Sequence, residues 1–207
     1  MTEPREIAPA CERVREGVWH WRIANASIGG ATSSSQALAD GAGGLVLVDP
    51  VRLAPEALAE LPGPTAICLT AKCHQRAAWR YQAEFGAPVW APEGTVPMDG
   101  EPDHRYGTGD RLPGGLVAVH TPGPEWVHYS FLLERDGGVL LCSDLLGRRP
   151  GAELDFIPLQ FHDDPAETRR SVERLADLPF AVLCLDHGEP LVDDPKAAVR
   201  ALLERTA

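Results

Sequence analysis

The stretch AICLTAKCHQRAAWRYQAEFGAPVWA, residues 66–91, decides the fold. Its apolar ends predict two buried strands, over residues 66–70 and residues 89–91. Between them the pattern predicts a helix over about residues 75–85, which ends before Gly86. Strands and helices in alternation are typical of an α/β protein.

The same alternation continues on both sides of this stretch. Further strands are predicted over residues 18–24, 36–40, 45–49, 116–121, 129–134, 139–142 and 181–186. Further helices are predicted over residues 55–61, 165–178 and 194–205, and Asp163 or Asp164 is a plausible N-cap for the second of these. The Ser-rich residues 32–35 are expected to form a turn, and residues 92–115 mostly a loop.

These elements predict one domain over residues 1–207, with residues 1–13 as a poorly ordered or peripheral segment. The expected architecture is a four-layer αββα sandwich, in which two sheets pack together and helices cover them outside.

Composition excludes several classes of function. The 207 residues carry a formal charge of −11, which repels phosphate backbones, so we expect no nucleic-acid partner. No apolar run is long enough to span a membrane, and the charged N-terminus shows no secretory signal, so we expect a cytoplasmic protein. Five cysteines in that setting argue against disulfides. Cys68, Cys142 and Cys184 lie in apolar strands and are expected to be buried thiols.

Candidate functional residues follow the predicted strands, because ligands gather at the carboxyl ends of strands in α/β sheets. The residues at these ends include Asp49, Lys72, Cys73, His74, Arg76, Glu125, Ser143, Asp144 and His187.

The order of these blocks resembles the metallo-β-lactamase superfamily over roughly residues 14–204. The blocks are a strand ending in Asp49, an LT strand before a helix, TPG at 121–123, SDLLG at 143–147 and DHG at 186–188. The resemblance implies a hydrolase fold that holds two metals. Its ligands come from an H-x-H-x-D-H motif, the His of a PGH turn, the Asp of a GD dipeptide and a late His.

Few of those ligands carry over. Without gaps, the H-x-H-x-D-H positions fall on Ala71, Cys73, Gln75 and Arg76. Aligned from the end of the helix instead, Cys73 stands at the motif Asp and His74 at its last His, while the H-x-H pair is missing. We prefer the second alignment, since a shortened loop disturbs a packed helix less than a change of register.

At the remaining ligand positions of the family, this sequence keeps two of three ligand residues. Pro124 takes the place of the PGH histidine and offers no ligand, whereas Asp144 and His187 match the GD aspartate and the late histidine. Cys73, His74, Asp144 and His187 therefore form a residual set for the second metal, and its mixed S, N and O donors suit zinc. The alternative is that these side chains are structural and no metal binds. The sequence favours this metal-free state over one zinc ion.

Supporting roles are assigned to five residues, one of which, Asp144, also belongs to the ligand set. Asp144 and Asp49 are the candidates for orienting or deprotonating a water, although Asp49 equally suits a role in its turn. His128 and Arg76 are candidates for orienting the metal ligands through hydrogen bonds without binding the metal themselves. The alternative for His128 is an exposed position on a strand. Lys72 and Arg76 are expected to place positive charge at the mouth of the cleft.

Two functions remain open. The first is a metal-dependent hydrolase of esters, lactones or thioesters, whose small-molecule substrate is unknown. The second is a non-catalytic family member that binds a small molecule or acts as a scaffold, because fold alone does not carry function. The apolar residues 154–161 suggest a lid or a homodimer surface.

Overall fold

A computed structural model describes residues 3–206, which fold around two main sheets. The first sheet follows chain order: β1 (Glu12–Arg15), β2 (Val18–Asn25), β3 (Ala31–Ala39), β4 (Leu45–Val48), β5 (Pro64–Cys68), β6 (Val89–Pro92) and β7 (His104–Tyr106). The remaining strands are β8 (Leu116–His120), β9 (Tyr129–Leu133), β10 (Val139–Leu141), β11 (Leu146–Gly147), β12 (Asp155–Phe156) and β13 (Val182–Cys184). The second sheet contains β8, β9, β10 and β13, whereas β11 and β12 form a two-stranded ribbon. The α-helices are α1 (Pro55–Leu58), α2 (Ala78–Phe85), α3 (Pro165–Ala176) and α4 (Pro195–Arg205).

Side chains that alternate along the strands build three apolar layers. In β4, Leu45 and Leu47 pack toward α2, whereas Val46 and Val48 face the second sheet. In β10, Leu140 packs toward α3 and α4 while its neighbours face the first sheet. Because successive strand residues point to opposite faces, each sheet carries a core on both sides. The result is the αββα sandwich expected from the sequence.

Residues 32–35, expected to form a turn, instead lie inside β3. They pair with β2 along their whole length, and Ser34 also donates its backbone N–H to Asp186 O at 2.8 Å. The prediction was wrong because it weighed serine content alone. Long-range pairing overrides that preference, and these small side chains allow the second sheet to approach closely.

Helix α2 begins later than expected, at Ala78. Residues 72–74 form a separate 3-10 turn, and Arg76 adopts a left-handed φ of 38° that a regular helix cannot contain. The loops at 92–115 and 145–164 also contain short strands, namely β7, β11 and β12. The predicted N-cap of α3 is Asp164, which accepts from Glu167 N.

The N-terminal segment, of which residues 1 and 2 lie outside the described residues, runs along the first sheet. Ala8 is buried and pairs with Leu53, and β1 begins at Glu12 as the edge strand beside β2. Within residues 3–206, no helix has both the length and the apolar character needed to cross a membrane.

Strand direction determines where loops converge. β4 pairs in parallel with β5, β10 pairs in parallel with β13, and β8 and β10 are both antiparallel to β9. The carboxyl ends of β4 and β5 therefore share an edge of the first sheet, those of β8, β10 and β13 share an edge of the second, and the segments that follow these strands meet there.

Candidate functional site

His74 lies at the centre of a buried polar cluster at this edge. Its Nδ1 is 3.1 Å from Asp49 Oδ2, and its Nε2 is 3.0 Å from Asp144 Oδ2 and 3.2 Å from Asp186 Oδ2. Thr70 fixes Asp49 by donating its backbone N–H to Oδ1 at 2.8 Å and its hydroxyl to Oδ2 at 2.5 Å. One imidazole thus joins carboxylates that follow three different strands.

Asp144 connects the residues that the sequence proposed as a ligand set. His74 contacts its Oδ2, His187 Nε2 lies 2.9 Å from its Oδ1, and Cys73 Sγ lies 3.6 Å from its Oδ2. The other nitrogen of His187, Nδ1, is 2.6 Å from Thr32 O. The structure therefore brings Cys73, His74 and His187 around one carboxylate.

Charges in this cluster balance one another. Burial opposes protonation of His74, but Asp144 and Asp186 outweigh it and raise the pKa of His74 well above its usual value. Burial likewise opposes ionisation of Asp144, but His74 and His187 outweigh it and hold its pKa well below the usual range. For His187, Asp144 overcomes the cost of burial and raises the pKa. A carboxylate between two imidazolium ions is the state that these contacts favour.

Arg76 supplies a third positive charge, and its position differs from the expectation. The residue is 7% exposed, so the predicted place at the cleft mouth was wrong. Its guanidinium pairs with the Asp186 carboxylate and donates to Ser34 O at 2.7 Å and Asp49 O at 3.0 Å. The left-handed φ before α2 turns this side chain inward, where it joins both sheets. Lys72 lies nearer the surface and donates to Val96 O at 3.3 Å.

His128 is fully buried, so the alternative of an exposed strand position was wrong. Its Nδ1 lies 2.8 Å from Thr121 O, and its Nε2 accepts the backbone N–H of Asp144 at 3.2 Å. Burial lowers the pKa of His128 to about 4, which keeps the ring neutral and Nε2 free to accept. The contact fixes the backbone of Asp144 rather than its carboxylate.

Sequence reasoning gave no role to several residues of the cluster. Asp186 neutralises Arg76, and Ser143, at a left-handed φ of 53°, places its hydroxyl 2.7 Å from Thr70 Oγ1. Glu125 lines the open side, where its Oε1 lies 3.9 Å from Cys73 Sγ and burial raises its pKa. The signal for Asp186 was present, since it ends an apolar strand as Asp49 does.

The donor atoms fit a divalent metal. Cys73, His74 and Asp144 each place one ligand atom within 4.8 Å of the others, and so do Asp144, Asp186 and His187. Both groups contain Asp144, and together they offer sulfur, nitrogen and oxygen donors.

The comparisons with known proteins agree with this architecture. The family model of the metallo-beta-lactamase superfamily matches residues 53–187. The chain therefore belongs to the metallo-β-lactamase superfamily, a hydrolase-like group. No curated protein matches the sequence significantly.

Solved structures show the same fold. A metallo-beta-lactamase family protein from Thermus thermophilus, TTHA1429, is 23% identical with a TM-score of 0.65, covering 94% of this chain and 80% of that one. A metallo beta lactamase from Hirschia baltica is 14% identical with a TM-score of 0.69, covering 96% and 98%. TTHA1623, solved in a di-iron-bound form, is 24% identical with a TM-score of 0.59, covering 78% and 90%.

Proposed function

We propose that this chain is a hydrolase of esters, lactones or thioesters that works with one zinc ion. Its ligands would be Cys73, His74, Asp144 and His187. The observation that carries the proposal is that both nitrogens of His74, and both nitrogens of His187, face oxygen atoms.

A neutral imidazole has one N–H and one lone pair. On His187, which faces a carbonyl and a carboxylate, one lone pair would therefore meet an oxygen acceptor unless positive charge lies between them, whereas His74 Nδ1 also has the hydroxyls of Thr70 and Ser143 at 2.9 and 3.3 Å as possible donors. A proton supplies that charge at His187, and a divalent cation would supply it as well. Metal binding to such a cluster replaces protons, since histidine ligands must be neutral and a cysteine ligand must be a thiolate.

A zinc ion bound there would polarise a substrate carbonyl and lower the pKa of a water molecule. A catalytic site keeps one position open, so we assign the permanent contacts to His74, Asp144 and His187. Cys73, which lines the cleft, takes the position that a substrate can claim.

The remaining roles in the proposed reaction are assigned to side chains of the protein. Both carboxylate oxygens of Asp49 are bonded inside the cluster, so its proposed part is to orient His74 rather than to contact water. Glu125 lines the cleft beside Cys73, and burial raises its pKa above the ordinary value, so this carboxyl holds a proton more readily than an exposed one. We therefore assign proton transfer at the substrate to Glu125, with Asp144 orienting the site.

A non-catalytic small-molecule binder is the second candidate. It is favoured by the charge balance of the cluster, in which Arg76, protonated His74 and protonated His187 match three carboxylates without a metal. A cytoplasmic location belongs to either proposal and is supported by five unpaired cysteines.

Zinc content and turnover separate the two candidates. For the hydrolase, protein purified without chelator should hold close to one zinc per chain and hydrolyse p-nitrophenyl acetate or a thioester analogue. His187→Ala should abolish turnover, whereas His104→Ala, an exposed histidine outside the site, should retain it. Protein that takes up no zinc and hydrolyses none of these substrates would exclude the hydrolase and leave the binder as the remaining candidate.

A further inference from the structure

A cleft of about 1390 Å³ opens beside the polar cluster, between the β2–β3 connection and the loop after β10. Much of its wall is apolar, formed by Ile28, Phe156, Ile157 and Phe161. Phe161 is 70% exposed, a large cost for an aromatic side chain unless something covers it. The wall suits the hydrocarbon part of a small molecule.

His162 lines the same cleft and carries an unpartnered polar atom that is buried behind the surface of the cleft. The residue is buried, and its Nε2 has no hydrogen-bond partner within residues 3–206. Its Nδ1 lies 2.7 Å from Thr168 Oγ1, and that hydroxyl donates to Asp164 O at 3.2 Å. With the Thr168 hydroxyl donating to Asp164 O, Nδ1 is the donor to Thr168, and this tautomer leaves a lone pair on Nε2. Burial also lowers the pKa of His162 and keeps that lone pair free.

The backbone around His162 is firmly held. Asp163 and Asp164 donate their backbone N–H groups to Pro124 O at 3.2 Å and Gly123 O at 2.9 Å, respectively. The Asp164 side chain also caps α3 by accepting from Glu167 N. The lone pair of Nε2 is thus fixed relative to the turn that carries Glu125. Leaving a buried acceptor unbonded is costly, so its natural partner is a donor on a bound ligand.

Two guanidinium groups add positive charge to this cleft. Arg148 and Arg149 both line it, and within the described part of the chain neither side chain has a hydrogen bond or ion pair, although Arg148 lies close enough to the Glu189 carboxylate to interact with it electrostatically. The backbone N–H of Arg148 donates to His187 O at 2.9 Å, which places the pair beside the polar cluster. Carboxylates also line the cleft, but Glu153 pairs with Arg205 and Asp144 with the histidines, so the two guanidinium groups are suited to an organic anion.

We propose that the cleft binds a small acyl compound with a carboxylate at one end and a hydroxyl group on its hydrocarbon chain. The carboxylate pairs with Arg148 and Arg149, the chain packs on the apolar wall, and the hydroxyl donates to His162 Nε2. The inference deepens the proposed function, on which it rests for the fate of the ligand but not for its binding.

Three probes test the ligand class by calorimetry on metal-free protein: 3-hydroxyhexanoate, hexanoate and 3-hydroxyhexanamide. The hydroxyl should strengthen binding about fivefold over hexanoate, the effect of one neutral hydrogen bond. The carboxylate should strengthen binding at least about tenfold over the amide, the effect of a charged one. Absence of binding by all three, or equal affinities in the wild-type protein, would overturn the proposal.

Variants assign each ratio to its residue. His162→Phe should abolish the hydroxyl preference and keep the carboxylate preference, and the double variant Arg148→Gln with Arg149→Gln should do the reverse. His104→Phe and Arg111→Gln change the same residue types outside the cleft and should preserve both ratios. A cleft variant that keeps the preference it is expected to lose would contradict the assignment.

A measurement on the unmodified protein covers a His162 variant that does not fold. Binding of 3-hydroxyhexanoate should shift the nitrogen resonance of His162 Nε2. The Nε2 of His20, which is also buried and unpartnered in the described chain, should not respond because it lies outside the cleft. An unchanged His162 resonance would exclude the contact.

These results separate the ligand class from the hydrolase. Binding with the expected ratios, but without zinc-dependent turnover, would keep the ligand and reject the hydrolase. Zinc-dependent turnover of esters without those ratios would keep the hydrolase and reject the ligand.

Discussion

Two regions of the cleft satisfy their polar groups in opposite ways. The floor is the polar cluster around His74, and the wall here includes Arg148, Arg149 and His162 beside the apolar residues. On the floor, His74 and Arg76 lie among the carboxylates of Asp49, Asp144 and Asp186, and each charge faces its opposite. On the wall, the side chains of Arg148 and Arg149 and the Nε2 of His162 have no hydrogen-bond partner within residues 3–206. The floor is assembled before any ligand arrives, whereas the wall is completed by one.

This difference assigns separate tasks to the two regions. Groups fixed in advance stabilise developing charge without having to reorganise, which suits the chemical step. Unpartnered groups discriminate between ligands, because a ligand that lacks the matching group leaves them unbonded. We therefore expect substitutions on the floor to affect folding and metal, and substitutions on the wall to affect ligand preference.

The largest effect should come from removing the buried cation of the floor. Arg76→Met removes the guanidinium that pairs with buried Asp186 and leaves this carboxylate with His74, and breaking such a buried pair costs about 3–5 kcal/mol. Urea denaturation measures the change in the free energy of unfolding.

The control for this variant is Arg22→Met. It breaks the surface pair with Glu189, whose side chains are 39% and 50% exposed, and should cost at most about 1 kcal/mol. Equal losses in the two variants would show that Arg76 does not hold the floor together.

The stability of the protein should depend on pH through His20, a buried histidine that is not enclosed by carboxylates as His74 is. Burial lowers the pKa of His20 from 6.5 to about 4 in the folded protein. Because the unfolded chain takes up this proton first, stability is retained above pH 6.5 and lost as pH falls toward 4.

The loss attributable to His20 should reach about 3 kcal/mol at most, from the size of the pKa difference. Unfolding free energies measured across this interval should fall less steeply in His20→Phe than in the wild-type protein. Parallel curves would show that His20 does not titrate in this way.

A smaller effect should come from Asp164, the N-cap residue of α3, which lies two residues after His162. Asp164→Ala removes the N-cap of α3 and should cost about 1 kcal/mol of stability, while also weakening the hydroxyl preference assigned to His162. Thermal unfolding and probe affinities give the two quantities.

The matched control is Asp194→Ala in α4. It removes a cap at a residue with a φ of 44°, so it should cost at least as much stability. The hydroxyl preference should nevertheless stay unchanged. A loss of that preference in both variants would indicate general loosening rather than positioning of His162.

The architecture was readily predicted from the sequence. Apolar strands with Asp49, Asp144 and His187 at their ends indicate which loops converge, and the spacing from His74 to Phe85 indicates the preferred register. The structure places Cys73 and His74 beside Asp144. Such features depend on neighbours along the chain.

Features that depend on partners distant in sequence could not be predicted. The inward turn of Arg76 depends on Ser34 and Asp186, which lie 42 and 110 residues away. Burial of His128 results from pairing with Ala71, and the strand at residues 32–35 results from pairing on both sides. Composition gives no signal for contacts of this kind.

Zinc binding by the wild-type protein and by Asp144→Asn tests the shared carboxylate most directly. Calorimetry should show close to one site per chain in the wild type. In Asp144→Asn the affinity should fall by more than about 100-fold, beyond the effect of losing a merely supporting group. A wild-type protein that binds no zinc, or an Asp144→Asn variant with unchanged affinity, would contradict the proposed metal site.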